Sequence, residues 1–230
     1  MELGYQQKQV LFGSLLGDGG LYKKYSYGNP HYSEQHCIRQ SDYCKWKAMI
    51  LREQFGVKEA IYNADRGTRK TYNITIGCNA FFKEIHEAFY RLLRKAYIKH
   101  YASKRINKDG THQFQYIEKG YYKKVLPLSI LHEIDELGLA VWFMDDGSSY
   151  KRHSIYCMIA TDNFTLEENQ AIVQWFHNRW DIECKIESVL RWNGKTYHHV
   201  IFNSVNSRKL VDLITPYVVE CMKYKVTNNA

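Results

Sequence analysis

Apolar residues recur along this 230-residue chain with two distinct periods, and the same succession of periods occurs twice. Trp46, Met49 and Ile50 mark one helix face by their i, i+3, i+4 spacing, and Ile172, Trp175 and Phe176 repeat it 126 residues later. The second of these helices opens on a capping box, Thr165 with Glu168. Phe82, Ile85 and Phe89 predict a further helix, whose counterpart 128 residues on is Leu210, Leu213 and Tyr217, with Ile214 in the i+4 place. Between these helices the period falls to two. Tyr72, Ile74 and Ile76 alternate with Asn73 and Thr75, and Cys184, Ile186 and Leu190 alternate with Lys185, Glu187 and Arg191, as in strands with one buried face. A turn recurs as well, since the Lys-Thr-Tyr of residues 70–72 returns as Lys195-Thr196-Tyr197.

Four features in one order at offsets of 125 to 128 predict two copies of one unit. Each copy reads helix, strand pair, helix, strand pair, helix. Strands bunched between helices point to an antiparallel α+β fold, here two pseudo-symmetric αββαββα halves. Such a sheet buries one face under helices and leaves the other wet. The expected wet face carries Gln35, Arg39, Arg66, Arg69, Asn73, Thr75, Lys185, Arg191, Lys195 and His199, long donors able to reach base edges in a major groove. Lys23, Lys24, Lys70, Lys104, Arg105, Lys151 and Arg152 flank those strands and extend the expected nucleic-acid contact.

Charge sharpens this expectation because it is unevenly spread. The chain carries 32 Lys and Arg against 24 Asp and Glu, yet residues 94–124 alone hold nine basic and two acidic side chains interleaved with Tyr and His. That stretch is read as a basic connector (94–126) between an N-terminal half (1–93) and a C-terminal half (127–230), suited to phosphate contact and stacking; a solvated linker is the plainer alternative. The longest apolar run, Leu137 to Met144, is eight residues and excludes a membrane span there. The six cysteines form no CxxC and the first ten residues resemble no leader, so an intracellular compartment, bacterial cytoplasm or organelle interior, is expected.

At the head of each half an apolar run ends in Asp-Gly: LFGSLLGDG at 11–19 and LAVWFMDDG at 139–147, with Asp18 and Asp146 again 128 apart. Gly19 and Gly147 could be ordinary helix C-caps. An aspartate at the negative end of a helix dipole is unfavourable, however, and Asp145 with Asp146 doubles the conflict, which a bound cation would remove. Gly13 and Gly17, at i and i+4, leave a bare face on which a second helix can approach closely. Two converging helix ends would then place carboxylates and carbonyls together as a hard oxygen site suited to Mg²⁺.

These motifs, with the FTLEE helix start and the ITPYVVECMKYK segment near the end, resemble the LAGLIDADG homing endonucleases, in particular the single-chain branch whose second motif reads MDDG. The first motif departs from the usual pattern at Phe12 and Ser14 and has Gly17 before the acid. The resemblance implies a monomer whose motif helices pack at the interface of a DNA-binding saddle. It also implies that Asp18 and Asp146 bind catalytic Mg²⁺ or another divalent cation such as Mn²⁺, with carbonyls from Gly17 and Asp145. Lys124 and Lys225 match the flanking basic residues, with Lys123 or Lys223 open as alternatives. Lys124 follows Asp18 by 106 residues and Lys225 follows Asp146 by 79, and the difference falls in the basic connector.

The implied activity is cleavage of both strands of a long double-stranded DNA site, not necessarily palindromic, leaving short 3′ overhangs. Two other functions use the same scaffold: a maturase binding its host intron RNA, and a DNA-binding protein without catalysis. Intact Asp18 and Asp146 favour the nuclease. His198 and His199 lack the compact His/Cys spacing of a zinc site and are read as strand residues.

Overall fold

The computed structural model describes residues 2–64, 69–106, 112–151 and 154–227. The first half runs α1 (Tyr5–Leu16), β1 (Gly20–Tyr22), β2 (His31–Cys37), α2 (Ser41–Arg52), β3 (Val57–Ala64), β4 (Arg69–Ile76) and α3 (Phe82–Phe89). The second repeats that order as α5 (Glu136–Asp146), β7 (Gly147–Lys151), β8 (Ile155–Ala160), α6 (Leu166–Trp180), β9 (Lys185–Leu190), β10 (Thr196–Phe202) and α7 (Ser204–Ile214), and short helices α4 (Leu128–Glu133) and α8 (Tyr224–Thr227) flank it. Both sheets are antiparallel and share one topology, β1-β2-β4-β3 and β7-β8-β10-β9. The fold is therefore the expected α+β pair of αββαββα halves.

Most of the stretch read from sequence as a connector (94–126) belongs to a structure of its own, which also takes in residues 90–93 of the expected first half. β5 (Tyr90–Ile106) and β6 (His112–Lys124) pair as a long antiparallel hairpin outside either four-stranded sheet. It is tied to the first half at two levels: Val125 N donates to Phe89 O at 2.8 Å at its base, and Ser26 N to Glu118 O at 3.1 Å farther along β6.

The core is one continuous apolar cluster spanning both halves, with α1 and α5 at its centre. These two helices touch through small residues. A Cβ on Gly13 would lie 2.4 Å from the Gly138 carbonyl oxygen, closer than any side chain tolerates, so the bare face is what lets the helices meet. Gln9 crosses the same interface, its Nε2 donating to Glu133 O at 2.8 Å and its Oε1 accepting from Asp135 N at 3.0 Å. The expected capping box forms, with Glu168 N on Thr165 Oγ1 at 3.2 Å and Thr165 N on Glu168 Oε2 at 2.6 Å.

The helix face expected at Trp46, Met49 and Ile50 is rotated. Met49 is 60% exposed, whereas Lys47 is fully buried between Cys44, Ala48 and Leu51. A charged residue counted as polar shifted the apparent stripe by one position. Strand β9 also departs from expectation, since Cys184 precedes it and Leu190 is 70% exposed at its far end, on an edge strand that outruns its helix cover. No helix among the described residues is long and apolar enough to cross a membrane.

Candidate active site and nucleic-acid interface

α1 and α5 end side by side, and neither ends in a left-handed glycine cap: Gly17 has φ −93° and Gly147 φ −78°. Gly194, in the β9–β10 turn, is the positive-φ glycine among the described residues. The Asp-Gly pairs are thus not ordinary C-caps. The chain passes almost directly from each helix into the first strand of its half, leaving Asp18 and Asp146 at the junction.

A lysine meets each junction in the same way. Lys124 Nζ, from the end of β6, donates to Gly17 O at 2.8 Å, and Lys225 Nζ, from α8, donates to Asp145 O at 2.8 Å. Each bond is to the carbonyl just before the terminal acid of its motif. The carbonyls expected to face a metal therefore accept lysine protons here. Lys123 and Lys223 make neither contact; Lys223 pairs with Glu220 at 2.6 Å.

The carboxylates differ. Asp18 is exposed, its side chain at 42%, whereas Asp146 is largely enclosed. Burial, reinforced by the charges of Asp18 and Asp145, pushes the Asp146 carboxyl up to about 7. Burial also lowers the pKa of Lys124 and Lys225 against the pull of these acids.

Asp145 turns its side chain across the interface, toward the end of α1 and the buried face of α2. Lys47 Nζ reaches its two oxygens at 2.8 and 3.0 Å, Tyr43 OH donates to Oδ1 at 2.8 Å, and Asp18 N donates to Oδ2 at 3.3 Å. Lys47 also pairs with Glu34, and His36 Nε2 lies 2.6 Å from the same Glu34 oxygen. Burial opposes the charge on Lys47, but Asp145 and Glu34 outweigh it and raise its pKa; Glu34, against its own burial, is held down to about 2 by Lys47 and His36. The electrostatic conflict read from the Asp145-Asp146 pair is thus opposed at Asp145 by a lysine from the other half, while burial still pushes the Asp145 carboxyl up to about 6.

His36 Nδ1 lies 3.7 Å from Asp18 Oδ2, and one ligand atom each from Asp18, His36 and Asp145 fall within 4.8 Å of one another. Clustered carboxylates, Asp18 exposed and Asp145 with its pKa pushed up to about 6 chiefly by burial, are a donor set that a divalent cation fits. Sequence reading missed Lys47, Glu34, His36 and Tyr43; the available signal was a lysine at a buried helical spacing from Cys44, Ala48 and Leu51.

On the first sheet Gln35 faces Asn73 and Ser33 faces Thr75 across β2 and β4, with Arg69 on the same parity, so this expected face exists. Lys58, opposite Thr75, joins it. Lys70 has the parity of Tyr72, Ile74 and Ile76 and points to the helix side, a correction that follows from the two-residue period. Arg39 sits in the turn after β2, and Lys23 and Lys24 in the β1–β2 loop, where Lys24 lies 5.0 Å over the Tyr25 ring. On the second sheet Lys185 shares a row with Ile201 and Met158, a more apolar face than expected. Arg191 is held by Asp162 at 3.1 Å, and His199, 8% exposed, lies 3.0 Å from the same carboxylate. Lys195, with Lys123, Lys124 and His198, lines a polar cleft of about 500 Å³ between the hairpin base and the second half. Arg66 and Arg152, and the side chains of Lys104, Arg105 and Lys151, lie outside the described residues.

Comparison with known proteins agrees with this architecture. Residues 8–108 and 103–210 each match the model of the LAGLIDADG DNA endonuclease family. The DNA endonuclease I-ChuI of Chlamydomonas applanata is 24% identical over 229 residues, covering 99% of this chain and 97% of that protein. The cytochrome b mRNA maturase bI2 of Debaryomyces hansenii is 34% identical over 120 residues, half of this chain and 43% of that one. Among solved structures, the homing endonuclease I-WcaI bound to its DNA recognition sequence superposes with a TM-score of 0.73 at 18% identity, over all of this chain and 89% of the other.

Proposed function

The chain belongs to the LAGLIDADG DNA endonuclease family, and we propose that it is an intron-encoded, site-specific endonuclease that cuts both strands of a long double-stranded DNA target. The observation that carries this reading is the twinned junction, in which each motif acid follows a carbonyl held at 2.8 Å by a lysine. Two acids in one chain make a monomer sufficient. Because the halves differ in sequence, the target need not be palindromic.

Asp18 and Asp146 are the carboxylates that would hold Mg²⁺ or Mn²⁺. The cation supplies positive charge against the negative charge that builds on a scissile phosphate. Lys124 and Lys225 fix the peptide before each acid and so aim its carboxylate. Their partly buried ammonium groups also add positive charge beside the phosphate. Gln35, Asn73 and Thr75 present donors and acceptors to base edges, while lysines of the β1–β2 loop and the hairpin meet phosphates. Cuts displaced across a minor groove would leave short 3′ overhangs.

The test is a duplex made by joining the exons that flank the gene, incubated with the protein and Mg²⁺. Cleavage of both strands near the exon junction is expected, and an intact duplex at every divalent cation tried would refute the reading. Similarity to a maturase favours a second reading, intron-RNA binding on the same scaffold. That reading expects accelerated splicing of the host intron and no cation-dependent DNA cleavage.

A further inference from the structure

The strand registers let the two halves be aligned residue by residue, and one difference stands out. Gly20 pairs with Ser33 in the first half and Ser148 with Met158 in the second, so Glu34 corresponds to Ile159 and His36 to Thr161. The buried stripe of α2, Lys47, Ile50 and Leu51, corresponds to Ile172, Trp175 and Phe176 of α6. The fully buried ion pair Glu34–Lys47 thus stands where the second half has two isoleucines, Ile159 and Ile172, both wholly enclosed. An apolar pair of similar volume is commonly as stable as a buried ion pair or more so. Stability therefore does not account for charge on one side alone.

The third partner explains it. Lys47 reaches across the interface to Asp145, whose Oδ2 accepts the backbone N–H of Asp18. The counterpart of Asp145 in the first motif is Gly17, which has no side chain to do the same for Asp146. Glu34 meanwhile fixes His36 beside the Asp18 carboxylate.

We infer that Lys47 and Glu34 are positioning residues that act through Asp145 and His36 to aim Asp18, and that Asp146 has no equivalent support, so cleavage of the two DNA strands depends unequally on this network. The inference rests on the nuclease reading. It assigns the two charges a task that their apolar counterparts cannot perform.

The test uses the full chain with Lys47→Met, a cleavable duplex labelled separately on each strand, and amide hydrogen exchange of the free protein. One strand should slow at least tenfold more than the other, with nicked duplex accumulating and DNA affinity within about threefold of wild type. Exchange of the Asp18 amide should accelerate at least tenfold in the absence of DNA and metal. Equal slowing of both strands, or an unchanged Asp18 amide, overturns the inference. Should Lys47→Met fail to fold, the triple variant Glu34→Ile, Lys47→Ile, Asp145→Asn carries the apolar pair of the second half and removes all three charges that meet at Lys47, leaving His36 beside Asp18. It should melt no lower than wild type and still accumulate nicks; balanced cleavage by a stably folded triple variant overturns the inference equally. If the wild-type chain cuts no duplex, the nuclease reading fails while the amide exchange result still decides the positioning.

Discussion

Gly17 and Asp145 occupy matching places in the two motif helices and meet at their interface: a Cβ on Gly17 would lie 2.5 Å from the Cβ of Asp145 and 2.7 Å from its Oδ2. The different letters before the terminal acid, Gly in one motif and Asp in the other, are therefore complementary. One side chain fills the space that both would need. Gly17→Ala forces α1 and α5 apart at their C-terminal ends, and overpacking of this kind costs about 1–3 kcal/mol. For a chain of this size that is a fall of roughly 2–4 °C in Tm per kcal/mol, measurable by calorimetry. A Tm unchanged by the substitution would mean the helices can separate freely.

Under the proposed reading, Asp146 links metal affinity to pH. Its carboxyl, pushed by burial and by Asp18 up to about 7, holds a proton that a cation must displace. Divalent-ion binding, followed by calorimetry, should therefore strengthen as pH rises from 6 to 8 and level off above. The same shift acts on stability without metal. A carboxyl whose folded pKa lies above its unfolded value near 3.8 stabilises the fold at low pH and loses that contribution as pH rises through about 7. Asp146→Asn should accordingly raise Tm more at pH 8 than at pH 6, and the reverse order would show that Asp146 is not strained by its neighbours.

On the proposed reading, recognition of bases and gripping of phosphates are separable. Asn73→Ala removes a side chain from the row shared with Gln35 and should cost about 1–3 kcal/mol at one base pair while relaxing the preference there. Lys119→Ala, on the hairpin, should weaken all duplexes alike and reduce the slope of log K against log salt by about one. Competition binding over a salt series checks both. Identical behaviour of the two variants would argue against a sheet that reads and a hairpin that grips.

Much of this was legible in the sequence, because repeats in period survive where identities do not. The Asp-Gly ends, the capping box at Thr165 and the alternation around Ile74 each found their place. What was hidden shares one cause. Patterns are read by treating charge as a mark of the outside, and here Lys47, Glu34 and His36 are inside, compensating one another across 13 residues or fewer and meeting Asp145 from the other half of the chain. A pairing at that separation leaves no local trace. The connector was hidden for a related reason: its basic and aromatic residues fall on both parities, with no apolar face to announce a strand pair.

The most direct test of the account is to substitute the two junction acids one at a time and follow cutting and binding separately. Asp18→Asn and Asp146→Asn should each abolish double-strand cleavage of the exon-junction duplex in Mg²⁺ while leaving its binding within a few-fold of wild type. Normal cleavage of both strands by either variant would contradict the assignment of those carboxylates as the pair that holds the metal.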